Sequence, residues 1–313
     1  MSSSVADILE HNQRVIDSFA ENAPEGMRKK AADTVDEYTR IKMREDGFLR
    51  KILPPMQIGP ENIDRLPDTD KPYKVVDKEV DNAMAISMPF GDTPPEFYIY
   101  GNRYVVTFDR IETHRYTKDV AELYTYHMDI RQVLSDNAIK DMMVEEDGKF
   151  ISVVNQAVGA VNTINPYTGA MQYITISGGI TRDTWNRALK VLPSTRMRLP
   201  VKQILINNLT IHDIQAWGRD EVGGDLAQEI LQNGFTDSKL FGIDIHVTIK
   251  NELVPDNTIF CFTTPDKMGK FYTIEDVTMY VKKEAYIFTF FAYSLSGFAI
   301  GNTASCARID FTA

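Results

Sequence analysis

Between Tyr73 and Thr113 two long strand-like runs flank the tip Gly91-Asp92-Thr93-Pro94-Pro95. Val75 to Pro89 leads in and Phe97 to Ile111 leads out. Tyr104, Val106 and Phe108 share one face of the second run and Val105 and Thr107 the other, the period of two expected of a strand. Each run is about fifteen residues long, whereas a globular strand has about five or six; at about 3.3 Å per residue it reaches about 50 Å. An isolated two-stranded ribbon is marginally stable in water, and the chain that follows reads as helix rather than as a third strand. The hairpin therefore needs support from outside, and the candidate is a neighbouring copy of the same chain.

The 313-residue chain is 43% hydrophobic and 25% charged, enough for one or two compact units and too ordinary for disorder. With 34 Lys+Arg against 44 Asp+Glu, the formal net charge of -10 argues against sequence-independent duplex binding over the whole surface. Arg28-Lys29-Lys30 and Arg50-Lys51 are local basic patches, read as solvated helix faces. Cys261 and Cys306 form neither a zinc motif nor a disulfide framework, which fits synthesis in a reducing compartment. Met1 to Val5 lacks the basic start and apolar stretch of a signal peptide. No eighteen-residue apolar run predicts a membrane span.

Helical spacing places Val5, Ile8, Leu9, Ile16 and Phe19 on one face. Ala31, Val35, Tyr38 and Ile41 repeat the pattern after Pro24-Glu25-Gly26. Phe48 to Pro55 ends it, so residues 1–70 read as an extended arm carrying two amphipathic helices. After the hairpin, Ile130, Val133, Leu134, Ala138 and Met142, then Val154, Ala157, Val158 and Val161, predict a helix over Asp129 to Asn162. Its length is about 45 to 50 Å, and Gly148 offers a kink or a break.

Beyond Pro166 the texture is α/β. Strands are expected over Met171 to Ser177, Val201 to Ile206, Phe241 to Ile249 and Thr258 to Thr263. Helices are expected over Thr181 to Leu192, Thr210 to Trp217 and Asp225 to Asn233, and Val277 to Phe311 is strand-rich and aromatic.

Reactive chemistry is sparse. His11, His114, His127, His212 and His246 lack metal-site spacing, and adjacent His212 and Asp213 do not face each other on a helix. Thr210 to Asp213 and Asp225 with Gln228 read as capping boxes. Gly223-Gly224-Asp225 lacks the Lys-Ser/Thr of a phosphate loop, and Ser177-Gly178-Gly179 reads as a turn. Glu145, Glu146 and Asp147 fan around a helix and read as a solvated face. Tyr286 to Tyr293 lacks the interleaved cations of a base-stacking platform and reads as a strand buried on both sides. Trp185 and Trp217 read as core or interface anchors. No catalytic, cofactor-binding or metal-ligating residue is expected, so the chain reads as a non-enzyme without cofactors.

Three stretches carry a resemblance. They are Arg198-Leu199-Pro200-Val201-Lys202-Gln203-Ile204-Leu205-Ile206-Asn207-Asn208, then Lys239-Leu240-Phe241-Gly242-Ile243-Asp244-Ile245-His246-Val247 with Leu253-Val254-Pro255-Asp256-Asn257-Thr258-Ile259, and then Glu284-Ala285-Tyr286 through Ala307-Arg308-Ile309-Asp310-Phe311. Together with the order and lengths of the parts over nearly the whole chain, they resemble the tailed-bacteriophage major capsid proteins of the Hong Kong 97 fold, an α+β class.

The resemblance implies an N-arm over 1–70, an E-loop over 71–115 and a peripheral domain with spine helix over 116–164. An axial domain over 165–270 and returning peripheral strands over 271–313 complete it. It implies hexamers and pentamers in the icosahedral head of a double-stranded DNA phage, made in the bacterial cytoplasm and resident in the virion. Partners would be many copies of itself, a portal, scaffold or decoration proteins, and enclosed DNA held by weak non-specific contact, with no membrane. Inter-subunit contacts are expected at Phe90, Pro94, Pro95, Phe97, Tyr98 and Tyr100 of the E-loop. Others are expected at Ile8, Phe19, Val35 and Tyr38 of the arm, and at Trp217, Arg219 and Asp220 of the axial domain. Phe90 to Asn102 contains no lysine, so the covalent E-loop cross-link of some members is not expected here. The short arm favours a separate scaffold, or none. A nanocompartment shell of the same fold and an oligomeric α/β enzyme are the alternatives.

Overall fold

The computed structural model describes residues 44–65, 71–80, 85, 87–123, 130–217 and 239–312. Along them run helix α1 (Phe48–Ile52), short strands β1 (Met56–Gln57) and β2 (Asp64–Arg65), and hairpin strands β3 (Pro72–Lys78) and β4 (Asn102–Thr107). Strands β5 (Asp109–Glu112) and β6 (Tyr116–Asp119) follow, with one turn of helix α2 (Val120–Leu123) and the long helix α3 (Ile130–Val158). Next come β7 (Tyr173–Ser177), α4 (Arg182–Leu189), β8 (Gln203–Asn207), α5 (Thr210–Gln215), β9 (Lys239–Leu240), β10 (Ile243–Thr248) and β11 (Thr258–Phe262). Helix α6 (Pro265–Met268) precedes the long strands β12 (Gly269–Glu284) and β13 (Ile287–Ile300), and β14 (Cys306–Thr312) comes last. The chain falls into two compact units. The arm residues Ile8, Phe19, Val35 and Tyr38, the Arg28 patch, the Asp225–Gln228 box, Arg219 and Asp220 lie outside the described residues.

The first unit comprises the described residues up to Lys51, Arg110–Ile151 and Thr273–Ser296. Helix α3 runs for 29 residues straight through Gly148, so the expected break does not occur. Leu134, Ala138 and Met142, each four residues apart, lie on one helical face and pack against Ile111 of β5 and Phe288, Phe290 and Ala292 of β13. Burial along β13 alternates, with Phe288, Phe290, Ala292 and Ser294 inside while Phe291 and Tyr293 are half-exposed and stack on Tyr280. This corrects the two-sided reading of the aromatic run. The helix covers one sheet face, and the aromatics of the other face cover each other.

The second unit comprises Ile52–Asp109, Ser152–Tyr272 and Gly297–Ala313. Its six-stranded sheet has the order β7-β14-β11-β8-β10-β9. Strands β8 and β10, and β7 and β14, pair in parallel, and β11 runs antiparallel between β8 and β14. Ile204, Ile206, Ile259, Ile309 and Phe311 share the face on which Trp185, Ala188 and Leu192 from α4 and the turn after it, and Ile211 and Ile214 of α5, pack. Fully burying each such side chain contributes about 1.5 to 3 kcal/mol, so the helix-period and strand-period patterns close on one another here. Cys261 and Cys306 lie on adjacent strands, yet Cys261 is opposite Ala307 and Cys306 opposite Phe262, so their side chains leave the sheet on opposite faces as free thiols.

Two capping readings change. Thr210 is the first residue of α5 rather than its cap, and its hydroxyl accepts from Asn257 N–H and donates to Asp256 Oδ1, both at 3.0 Å, so no box forms with Asp213. A box does form at α4, where Thr181 and Thr184 bond reciprocally. Ser177-Gly178-Gly179 is a turn, with φ of 103° and 65° at the two glycines.

The hairpin is shorter and better supported than its apolar runs suggested. β3 and β4 pair over six positions, from Tyr73↔Thr107 to Lys78↔Asn102, rather than over about fifteen. β2 adds a third strand against β3. Val106 and Phe108 are buried and Val105 and Thr107 exposed, as the alternation predicts. Above Asn102, Pro89, Pro94 and Pro95 have no N–H to offer a ladder, and the described residues show none.

Candidate functional site

Beyond the Lys78↔Asn102 pair the described residues leave the β2-β3-β4 sheet. Gly91, at φ 95°, turns the tip, where Asp92 N–H donates to the Pro89 carbonyl at 3.4 Å. Every residue from 91 to 100 is exposed. Phe97, Tyr98, Ile99 and Tyr100 are 83%, 79%, 64% and 72% exposed in succession, and Phe90 has its whole side chain in solvent. A strand lying on its own core would hide alternate residues, and this one hides none. Tyr98 and Tyr100 touch edge to face at 4.8 Å, covering little of each other. Contiguous exposed aromatics of this kind mark a surface made to be covered.

The root of the hairpin is held tightly. A Cβ at Gly297 would collide with the carbonyl oxygen of Thr107, and one at Gly301 would sit 2.6 Å from the Tyr104 ring, so both glycines permit close approach to β4. Burial beside Tyr272 pushes the Tyr104 phenol up to about 12, which keeps it neutral. The site thus joins an anchored base to an uncovered end.

A second feature secures helix α1. Asp147, fully buried on α3, accepts from the N–H groups of Phe48 at 3.2 Å and Leu49 at 2.8 Å, the first free donors of α1. Arg50 clasps Glu146 through Nε at 3.0 Å and Nη2 at 3.2 Å, and reaches Asp276 at 3.0 Å. Phe48 packs on Phe150 at 6.5 Å. Hence Glu146 and Asp147 are not a solvated face, and Arg50 is not a solvated cation; only Glu145 of the acidic run is exposed. The signal was present in the sequence. Glu146 continues the four-residue stripe Leu134, Ala138, Met142 and precedes Phe150 on it, so a carboxylate there had to find a buried partner.

Trp217 is half-buried, edge-on to Trp185 at 5.8 Å, and its Nε1–H donates to the Ile180 carbonyl at 3.0 Å. In the first unit a groove of about 650 Å³ is lined by Arg44, Arg110, Glu112, His114, Asp141 and Lys149 among others. Its charges are largely paired with one another, as in Arg44–Asp141 at 2.9 Å and Arg110–Glu112 at 3.0 Å. No cluster of three metal-capable His, Cys, Asp or Glu residues occurs among the described residues. No helix among them is long and apolar enough to cross a membrane.

These units, the spine-like α3 and the protruding hairpin define a class of protein by fold, the Hong Kong 97-type capsid fold. Among solved structures of that fold, the bacteriophage PhiM1 mature capsid superposes with a TM-score of 0.60 at 7% identity, covering 90% of this chain and 91% of that one. The capsid of a native GTA particle gives 0.59 at 14% identity over 94% of this chain and 100% of that one. The capsid of cyanophage P-SCSP1u gives 0.58 at 10% identity over 94% and 96%. No protein-family model and no curated protein matches the sequence.

Proposed function

We propose that this chain is a major capsid protein, many copies of which self-assemble through hexamers and pentamers into the icosahedral head of a tailed double-stranded DNA bacteriophage. The observation that carries the reading is a capsid fold shared over nine-tenths of the chain, bearing an anchored hairpin whose aromatic end nothing covers. Its mechanism is packing. The N-arm (1–70) and E-loop (71–115) lie across neighbours, burying Phe90, Pro94, Pro95, Phe97, Tyr98 and Tyr100 and the arm residues Ile8, Phe19, Val35 and Tyr38. The axial domain (165–270), with Trp217, Arg219 and Asp220, makes contacts near the capsomer centre. The peripheral domain (116–164 and 271–313) forms the wall.

The lysine-free tip makes the hold non-covalent. A net charge of -10 suits a wall that encloses DNA without gripping it. Portal, scaffold and decoration proteins complete the partners, assembly takes place in the bacterial cytoplasm, and the product is the virion. Electron microscopy of the purified recombinant chain tests the reading. Megadalton shells are expected, and small uniform oligomers under all assembly conditions would refute it. Nucleic acid rather than protein cargo inside native particles separates a phage head from a nanocompartment.

A further inference from the structure

The tip is acidic as well as aromatic. Between Lys78 and Arg103 stand Glu79, Asp81, Asp92 and Glu96, with no Lys, Arg or His. Asp92 and Glu96 are exposed and have no ion-pair partner among the described residues. A surface that covers Phe97 to Tyr100 must therefore supply cations too, because desolvating an unpaired carboxylate costs several kcal/mol.

The second unit carries such a surface. The loop over residues 159–172 contains no charged residue, and it displays Ile164, Tyr167 and Met171 at 57%, 81% and 42% exposure. The loop is locked in place. The Asn165 side-chain amide donates to the Ala157 carbonyl and to Gln172 Oε1, both at 3.1 Å, and its Oδ1 accepts from Tyr167 N–H at 3.0 Å. Apolar side chains held out by a braced loop lose little further freedom on docking.

Next to them lie cations. Arg196 N–H donates to the Thr168 carbonyl at 3.0 Å, and its side chain crosses Gly169, where a Cβ would stand 2.8 Å from Nε. The turn bonded from Ser194 N–H to the Lys190 carbonyl at 3.1 Å joins Arg196 to the end of α4, where Arg187 and Lys190 are three residues apart. All three cations are exposed, and none has an ion-pair partner among the described residues. From Arg182 to Lys202 only Asp183 opposes the positive charge.

We propose that the acidic aromatic tip of one copy, Asp92 to Tyr100, docks on the Ile164–Tyr167–Met171 face of another copy, rimmed by Arg187, Lys190 and Arg196. The inference rests on the shell reading and names the partner surface of its E-loop. Charge and apolar character match on both sides, and each patch stands open in the single chain, so the pairing is between copies.

The test is a charge swap in the full-length chain, read by sedimentation and electron microscopy. A tip-reversed variant, D92K/E96K, and a face-reversed variant, R187E/R196E, are each expected to need at least about tenfold more protein to associate. Mixed one to one, they should associate as the unaltered chain does, because basic tips then meet acidic faces and acidic tips meet basic faces. The neutral tip D92N/E96Q should flatten the salt dependence of association. Mixtures that fail to associate alongside an unaltered salt slope would overturn the docking. So would a face-reversed variant that assembles normally and loses only co-purifying nucleic acid. If the unaltered chain forms only small oligomers that the mixture reproduces, the shell reading fails and the docking stands.

Discussion

Asp147 is the residue that anchors the start of α1. One buried carboxylate accepts from the two N–H groups at the start of α1. Asp147→Ala is expected to cost about 2 to 6 kcal/mol, since each of the two buried donors left unmade costs about 1 to 3 kcal/mol; Asp147→Asn, which keeps one acceptor oxygen, should cost roughly half as much. Denaturant midpoints with an unchanged slope would measure both. Gly297 makes the opposite kind of demand, for the absence of atoms. Gly297→Ala pushes a methyl into the Thr107 carbonyl, which is backbone and cannot rotate away. A loss of more than about 1 kcal/mol, with faster proteolysis of the hairpin, is expected. Cys261 and Cys306 are buried, and burial holds both thiols up at about 12, so maleimide should label neither in the native protein and both on unfolding. Rapid native labelling would contradict that burial.

At the scale of elements the hairpin divides into parts with different tasks. The β2-β3-β4 sheet folds with the second unit, whereas the described residues between Lys78 and Asn102 contribute no ladder. Deleting Phe90 to Asn102 should therefore leave circular dichroism and the cooperative melt of the body intact while abolishing shells. Intact shells from that deletion would end the strap account. Helix α3, the sheet strands and helices α4 and α5 were legible from periodicity because each buries one stripe or one face, and burial imposes the period. The fifteen-residue strands were not. Phe97 to Tyr100 has strand composition but no strand partner among the described residues, and composition cannot say whose backbone would complete a ladder. The Thr210 box failed for a similar reason, since the hydroxyl oxygen that would accept within the helix accepts instead from the N–H of Asn257, distant in sequence.

Across the whole molecule, pH acts on the charged knot of Arg50, Glu146 and Asp276. Desolvation alone would raise the Asp276 carboxyl, but the hydrogen bond from Arg50, with that from the Val277 N–H, outweighs it and holds the group below its ordinary 3.8. A carboxyl depressed in the folded state stabilises fully above pH 3.8, and the contribution disappears as pH falls through the folded value. The side chain is 68% exposed, so solvent screening keeps the gain under about 1 kcal/mol. Asp276→Asn should lower the melting temperature slightly at pH 7, with the two curves converging as pH falls through the folded value; parallel curves would exclude this linkage.

What the sequence determined by itself was the order of the elements and the faces of the helices and strands. Each follows from local periodicity, from lengths set by the rise per residue, and from residues such as proline that act on their own backbone. What only the tertiary structure decided was which polar groups are buried and with whom. Arg50 meets Glu146 across 96 residues of chain and Asp276 across 226, and Arg196 settles on the loop carrying Tyr167. The energy of a charge depends on its distance to others and on the water between them, and neither quantity exists until the chain has folded.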